Sequence, residues 1–258
     1  MSRAPLDRRR FIVGAGALAV MGYAGVRSGW FTGWLTGLLP QQPLPFQDMV
    51  EPAGYRRLSG GEISGGFDPL IGIPEDTPEG LVVAERVVAR DICAALFGQS
   101  TGTAGQVPMA YFFDYQCPIC RRLTPRLRAL KGVALNWHDL AALGVGSKMA
   151  ARAAIAARNQ GAYDAFHDRL MRSRFQANEG YVGLLAQSVG IDGARLLADM
   201  NSPQVNDQMW QSRAVANMFG MLGTPGMVIG RTVIIGDISD RDLARIVADE
   251  AVRGGYCG

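Results

Sequence analysis

Two cysteines two residues apart, in Cys117-Pro118-Ile119-Cys120, carry the most specific chemistry in the chain. Thiol–disulfide exchange needs a nucleophilic or leaving sulfur with a second sulfur close by, and this spacing supplies both. The same spacing supplies half of a tetrahedral zinc site, which needs two further ligands. Candidates for those are Cys93, Cys257, His138 and His167, each standing alone in the sequence. The surroundings favour redox chemistry. An apolar, aromatic run from Val107 to Phe113 reads as a buried strand, and Leu123, Leu127 and Leu130 recur at helical spacing behind the cysteines. Cys117 thus falls where a strand hands over to a helix N-terminus, and free N–H groups there favour a thiolate. Pro118 suits the first helical turn, and Pro125 falls inside the helix. On this reading Cys117, on the exposed side of the turn, is the exchanging sulfur. Cys120, one turn in, is the buried resolving thiol.

The elements around the pair follow from periodicity. Val133 to His138 reads as a second strand, so strand, helix and strand form a right-handed unit with parallel strands. Residues 147–219 read as almost wholly helical, in pieces over 149–157, 162–171, 181–189, 195–200 and 203–219, with Ser147 as the first cap. Gly226 to Gly230 and Thr232 to Gly236 read as a hairpin, and Ser239 or Asp240 caps a last helix. Upstream, Thr77-Pro78-Glu79 opens a helix that runs through Leu81, Val88, Ile92 and Leu96 to Gly98. Met200, Met209, Met218 and Met221 fit core packing better than copper binding.

Charge excludes some classes. Of the net +3, all comes from residues 1–10, which leaves 22 basic against 22 acidic residues elsewhere. Such a balance gives no reason to expect a nucleic-acid partner. The N-terminus is informative: Asp7-Arg8-Arg9-Arg10-Phe11-Ile12 precedes an uncharged Gly/Ala-rich stretch and resembles a twin-arginine export signal. Residues 1–28 are therefore expected to be an export signal or N-terminal anchor. In residues 29–78, Trp30, Phe31, Trp34, Leu35, Leu38 and Leu39 share one helical face suited to a membrane interface. A Pro/Gly-rich linker follows them. Both cleavage and retention of this segment stay open. Export would also permit a structural disulfide between Cys93 and Cys257, stapling the tail to the helix from Glu79; the alternative is a buried free Cys93 and a loose tail.

The strand, Cys-Pro-x-Cys, helix, and a proline five residues past the second cysteine resemble the thioredoxin superfamily. The wording Phe112-Phe113-x-x-x-Cys117-Pro118-x-Cys120 resembles its DsbA-like branch, the exported thiol:disulfide oxidoreductases, over roughly residues 80–253. The resemblance implies an α/β thioredoxin fold at 79–258 with a helical insertion at about 147–219. It implies a cis-proline at Pro225, in Gly223-Thr224-Pro225, lying opposite the cysteines, with Thr224 pairing with substrate like an added strand. Pro118 and Ile119 would face substrate too. The activity implied is disulfide exchange with cysteine-containing protein substrates, most naturally introducing disulfides, with no cofactor beyond the Cys117–Cys120 disulfide. A membrane redox partner would recycle it. The location implied is the periplasm, tethered or free, and the state a monomer, since no dimerisation domain is visible. The rivals are a periplasmic reductase or isomerase, and a metal-binding assembly factor. Two departures stand out: DsbA has histidine at the Ile119 position, and an acid where this chain has Tyr111. Asp114 and His138 are candidate substitutes for that acid, though a solvent-facing role is expected of each, as it is of Arg121 and Arg122.

Overall fold

A strand with no exposed residue, Val107–Phe113, stands inside the sheet. Its aromatic and aliphatic side chains suit a pleated surface covered on both faces. The computed structural model describes residues 42–59, 61–65, 78–98 and 105–257. The strands among them are β1 (Phe46–Asp48), β2 (Arg56–Ser59), β3 (Val107–Phe113), β4 (Val133–Asp139), β5 (Gly226–Ile229) and β6 (Thr232–Ile235). The helices are α1 (Glu79–Arg90), α2 (Ile92–Phe97), α3 (Pro118–Ala129), α4 (Val145–Arg158), α5 (Tyr163–Arg172), α6 (Glu179–Ser188), α7 (Gly193–Asp199), α8 (Pro203–Met218) and α9 (Asp240–Arg253).

The sheet runs β1-β2-β6-β5-β3-β4. β3 and β4 are parallel, with Val107 opposite Val133 and Phe113 opposite Asp139. With α3 they form the expected crossover unit. β5 runs antiparallel to both β3 and β6. Helices α4 to α8 fall between the two halves, in the expected insertion. Alternation along β3 divides its aromatics. Phe112 joins Phe97, Phe219 and Met221 in a core under α1, α2 and α8. Tyr111 and Phe113 face the other way and meet Trp137 edge-on.

The structure corrects the sequence reading upstream of residue 79. Residues 45 onward form one compact unit, so the expected linker is in part folded. β1 and β2 pair antiparallel, and β2 lies parallel to β6, with Arg56 opposite Thr232. Arg56 anchors them: its Nε donates to Thr232 Oγ1 at 2.7 Å and its Nη2 to Glu250 Oε1 at 2.8 Å and to Asp249. Arg56 is 7% exposed and Glu250 1%, so each charge depends on the other to stay buried. Three smaller differences concern helix ends. The expected helix from Glu79 breaks at Asp91, which is extended and caps α2 by accepting from Ala94 N at 2.8 Å. Pro78 begins α1 without a side-chain cap. Ser147 lies within α4, and its hydroxyl donates to Asp114. The export signal, the aromatic face at 30–39 and the Thr77 cap lie outside the described residues. Among the described residues, no helix is long and apolar enough to cross a membrane.

Candidate active site

Cys117 is the N-cap of α3, and its Sγ accepts from Cys120 N at 3.1 Å. Pro118 fills the first helical position, where no N–H is required. The helix start therefore presents a free N–H to the sulfur, as the sequence suggests. The Cys117 pKa falls from its ordinary 9.0 to about 6. The Cys120 thiol hydrogen bond is the main cause; burial opposes it, and Thr224, the Cys120 backbone and Ser64 assist. Burial, then the hydrogen bond and charge of Cys117, push Cys120 far the other way. One sulfur is thus readily ionised and its neighbour is held protonated. Such a split suits Cys117 to leave or attack and Cys120 to resolve.

The loop before α3 is fixed by Asp114. This buried carboxylate accepts from Gln116 N, Ala142 N, Leu143 N and Ser147 Oγ, at 2.7 to 3.0 Å. All its work is structural, against the expected solvent-facing role. Arg121 is also committed, its Nε donating to Tyr115 O at 2.8 Å. Arg122 is solvent-facing, 3.3 Å from Glu62.

The peptide bond between Thr224 and Pro225 is cis, and Gly226 beyond it sits opposite Phe112. This loop faces the cysteines: Cys117 Sγ lies 3.6 Å from Thr224 O. Cys117 and Thr224 are both fully buried, whereas the sequence reading has Cys117 exposed and Thr224 open to substrate. The loop pairs with Ser64, whose N–H donates to Thr224 O at 2.7 Å and whose carbonyl accepts from Thr224 N at 2.9 Å. Pro118 is exposed beside the site, and Ile119 is buried.

Tyr111, in place of the acid, is fully buried, with its hydroxyl 3.4 Å from Cys120 O. Burial and the neighbouring Cys120 hold its pKa well above 10.0, so it stays neutral. His138 lies on the other face. Its Nε2 is 2.8 Å from Leu96 O, and burial pushes its pKa down to about 4. The structure brings neither Asp114 nor His138 to Cys120 as a replacement acid. It does build a polar cluster that the sequence reading missed. Asp139 accepts from Tyr115 and Tyr163, each at 2.8 Å, and Tyr115 also meets His167 Nδ1 at 3.1 Å. Burial raises Asp139 to about 6 despite both tyrosines.

Cys93 and Cys257 are disulfide-bonded across 164 residues, their Cα atoms 5.7 Å apart, within the usual range. The two extra thiols that a zinc site at Cys117 would need are thus joined to each other. Among the described residues, no group of three or more His, Cys, Asp or Glu is placed to hold a metal.

A family model for the DSBA-like thioredoxin domain matches residues 109–248, more than half of the chain. A solved thioredoxin-like oxidoreductase from Silicibacter pomeroyi DSS-3 is 36% identical, with a TM-score of 0.57, over 63% of this chain and 99% of that one. Two further structures share the fold at lower identity. The thiol-disulfide exchange protein alpha-DsbA2 from Wolbachia pipientis is 19% identical with a TM-score of 0.56, over 67% of this chain and 99% of that one. The catalytic domain of Proteus mirabilis ScsC is 22% identical with a TM-score of 0.55, over 65% and 98%. No curated protein matches the chain. With strand, Cys-Pro-x-Cys, helix and cis-proline loop all in one arrangement, the chain belongs to the DsbA-like thiol:disulfide oxidoreductase family of the thioredoxin fold.

Proposed function

We propose that this protein is an exported oxidase that introduces disulfides into cysteine-containing protein substrates. The observation that carries this reading is the split between the two sulfurs, with Cys117 lowered to about 6 and Cys120 raised. In the oxidised enzyme a substrate thiolate attacks Cys117 Sγ. The Cys117–Cys120 bond breaks, and Cys120 takes a proton, as its raised pKa favours. A second substrate thiolate then attacks the substrate sulfur of the mixed disulfide and displaces Cys117 as thiolate. The substrate loses two electrons and the cysteine pair gains them. A low pKa makes Cys117 a good leaving group and stabilises the dithiol form, which raises the reduction potential. A membrane oxidant would take the electrons back.

Export is supported by the Arg8-Arg9-Arg10-Phe11-Ile12 signal and by the Cys93–Cys257 bond, which suits an oxidising compartment such as the periplasm. Whether the N-terminal segment tethers the protein depends on its cleavage. The rival direction, reduction or isomerisation, is favoured by Ile119, which offers the thiolate no charged partner. Equilibration of the Cys117/Cys120 pair with glutathione separates the two. A potential near the roughly −120 mV of DsbA supports the oxidase, and one near the roughly −270 mV of thioredoxin overturns it in favour of a reductase.

A further inference from the structure

We propose that residues 61–65 are a built-in pseudosubstrate: a strap that occupies the substrate's backbone position at Thr224 and sets Ser64 over Cys117, so that a substrate must displace it. The proposal rests on the thiol-exchange reading of the site.

Four observations carry it. First, both backbone groups of Thr224 are spent on Ser64, in an antiparallel bridge with N···O distances of 2.7 and 2.9 Å. An extended substrate docking there as an added strand would need those same groups. Second, the strap is also held at Glu62, two residues before Ser64. Glu62 O accepts from Asp237 N at 3.1 Å in a second antiparallel bridge, and the Glu62 carboxylate pairs with Arg122 of α3 at 3.3 Å. Third, glycines are placed where the strap lies closest. A Cβ on Gly223 would stand 2.8 Å from Ser64 O, and a Cβ on Gly61 would stand 2.5 Å from Asp237 N. Both approaches are closed to any other residue without movement. Fourth, Cys117 and Thr224 have no exposed surface, although exchange requires another sulfur to reach Cys117 Sγ.

The identity of residue 64 fits the role. Serine matches cysteine in shape, and its side chain is among the groups that lower the Cys117 pKa. It forms no disulfide, so it fills the position of the attacking residue without reacting. Ile63 beside it is 46% exposed, and Leu222 before the cis-proline loop is 78% exposed. These two side chains give an arriving polypeptide an apolar foothold next to the strap.

The test places a sulfur where the strap places an oxygen. Ser64→Cys is combined with Cys120→Ser, and the reduced protein is treated with oxidised glutathione. Cys117 thiolate attacks glutathione disulfide and becomes glutathionylated, releasing one glutathione. The introduced thiolate at position 64 then attacks Cys117 Sγ, displaces the second glutathione and closes a disulfide between strap and Cys117. Peptide mapping should find that strap-to-Cys117 bond as the main product. Glutathione retained on Cys117, with the introduced thiol still free, would overturn the proposal. A second pair of variants loosens the strap without touching the cysteines. Ser64→Pro removes one backbone donor, and Gly61→Ala pries the strap from Asp237. Each should raise the rate of exchange with a cysteine-containing peptide by about fivefold, the equivalent of one backbone hydrogen bond. Rates unchanged or lowered in both would also overturn it. The two readings fail separately: wild-type protein inert toward glutathione refutes disulfide exchange itself, whereas normal exchange without the strap-to-Cys117 bond refutes only the strap.

Discussion

The lowered Cys117 pKa makes the stability of the dithiol form depend on pH in a calculable way. A thiol that titrates at 9.0 when unfolded and at about 6 when folded binds fewer protons in the folded state between those values. Its stabilising contribution is complete above the unfolded pKa, shrinks by about 1.4 kcal/mol per unit as pH falls, and is lost as pH falls through about 6. At pH 7 that leaves about 1.4 kcal/mol, since roughly one pH unit separates it from the folded pKa. In a two-electron couple the same energy is about 30 mV of reduction potential. Cys120 adds nothing near neutrality, because a thiol pushed upward is protonated both folded and unfolded. The assay is urea unfolding of the reduced and oxidised forms at about pH 5 and pH 7, with Cys93–Cys257 intact in both. Groups common to the two forms cancel in the difference. The stability of the reduced form relative to the oxidised form should rise by about 1.4 kcal/mol between the two pH values. An equal difference at both, or a thiolate absorbance that appears only near pH 9, would refute the reasoning.

Three further outcomes are expected. Cys117→Ser should abolish exchange and Cys120→Ser should accumulate mixed disulfides with substrates, both read by non-reducing electrophoresis; turnover that survives Cys117→Ser would remove it from the mechanism. Replacing Cys93 and Cys257 with alanine should lower unfolding stability by up to about 5 kcal/mol by chain entropy for so long a loop, and leave the exchange rate intact. Arg56→Met should cost about 3–5 kcal/mol in denaturant unfolding, because Glu250 is left buried without its partner, and Arg56→Met with Glu250→Gln should recover part of that loss.

What the sequence made legible is what local pattern encodes. The strand before Cys117, the helix after it and the parallel β4 follow from apolar spacing. Gly223-Thr224-Pro225 is visible because it is a contiguous triplet. Elements held by distant polar contacts left no such trace. β2 has one apolar residue in four, Leu58, and its anchor Arg56 finds Asp249 and Glu250 at the far end of the chain. Ser64 bridges to Thr224 through its backbone, so nothing in its side chain marks that bridge; the glycines around it read as linker. The Asp139 cluster joins Tyr115, from the loop before α3, to Tyr163 and His167, both of α5. Asp91 shows the same limit at short range. The apolar periodicity continues across it, and only its extended backbone and its bond to Ala94 N divide α1 from α2.

The hairpin β1–β2 has a bearing on where this domain can be cut. β6 reads Thr232-Val233-Ile234-Ile235, and β2 occupies its outer side along all four residues. The family match begins at residue 109, and a boundary drawn from helix signals begins at residue 79; both discard the hairpin. A fragment started at either point would turn β6 into an open edge, rich in β-branched residues and with unpaired backbone donors and acceptors. Such an edge is a template for pairing with another copy. It would also strip Arg56 from Glu250. The short, charged β1–β2 ribbon is therefore the protein's guard against self-association as well as part of its fold, and recombinant fragments should begin before Phe46.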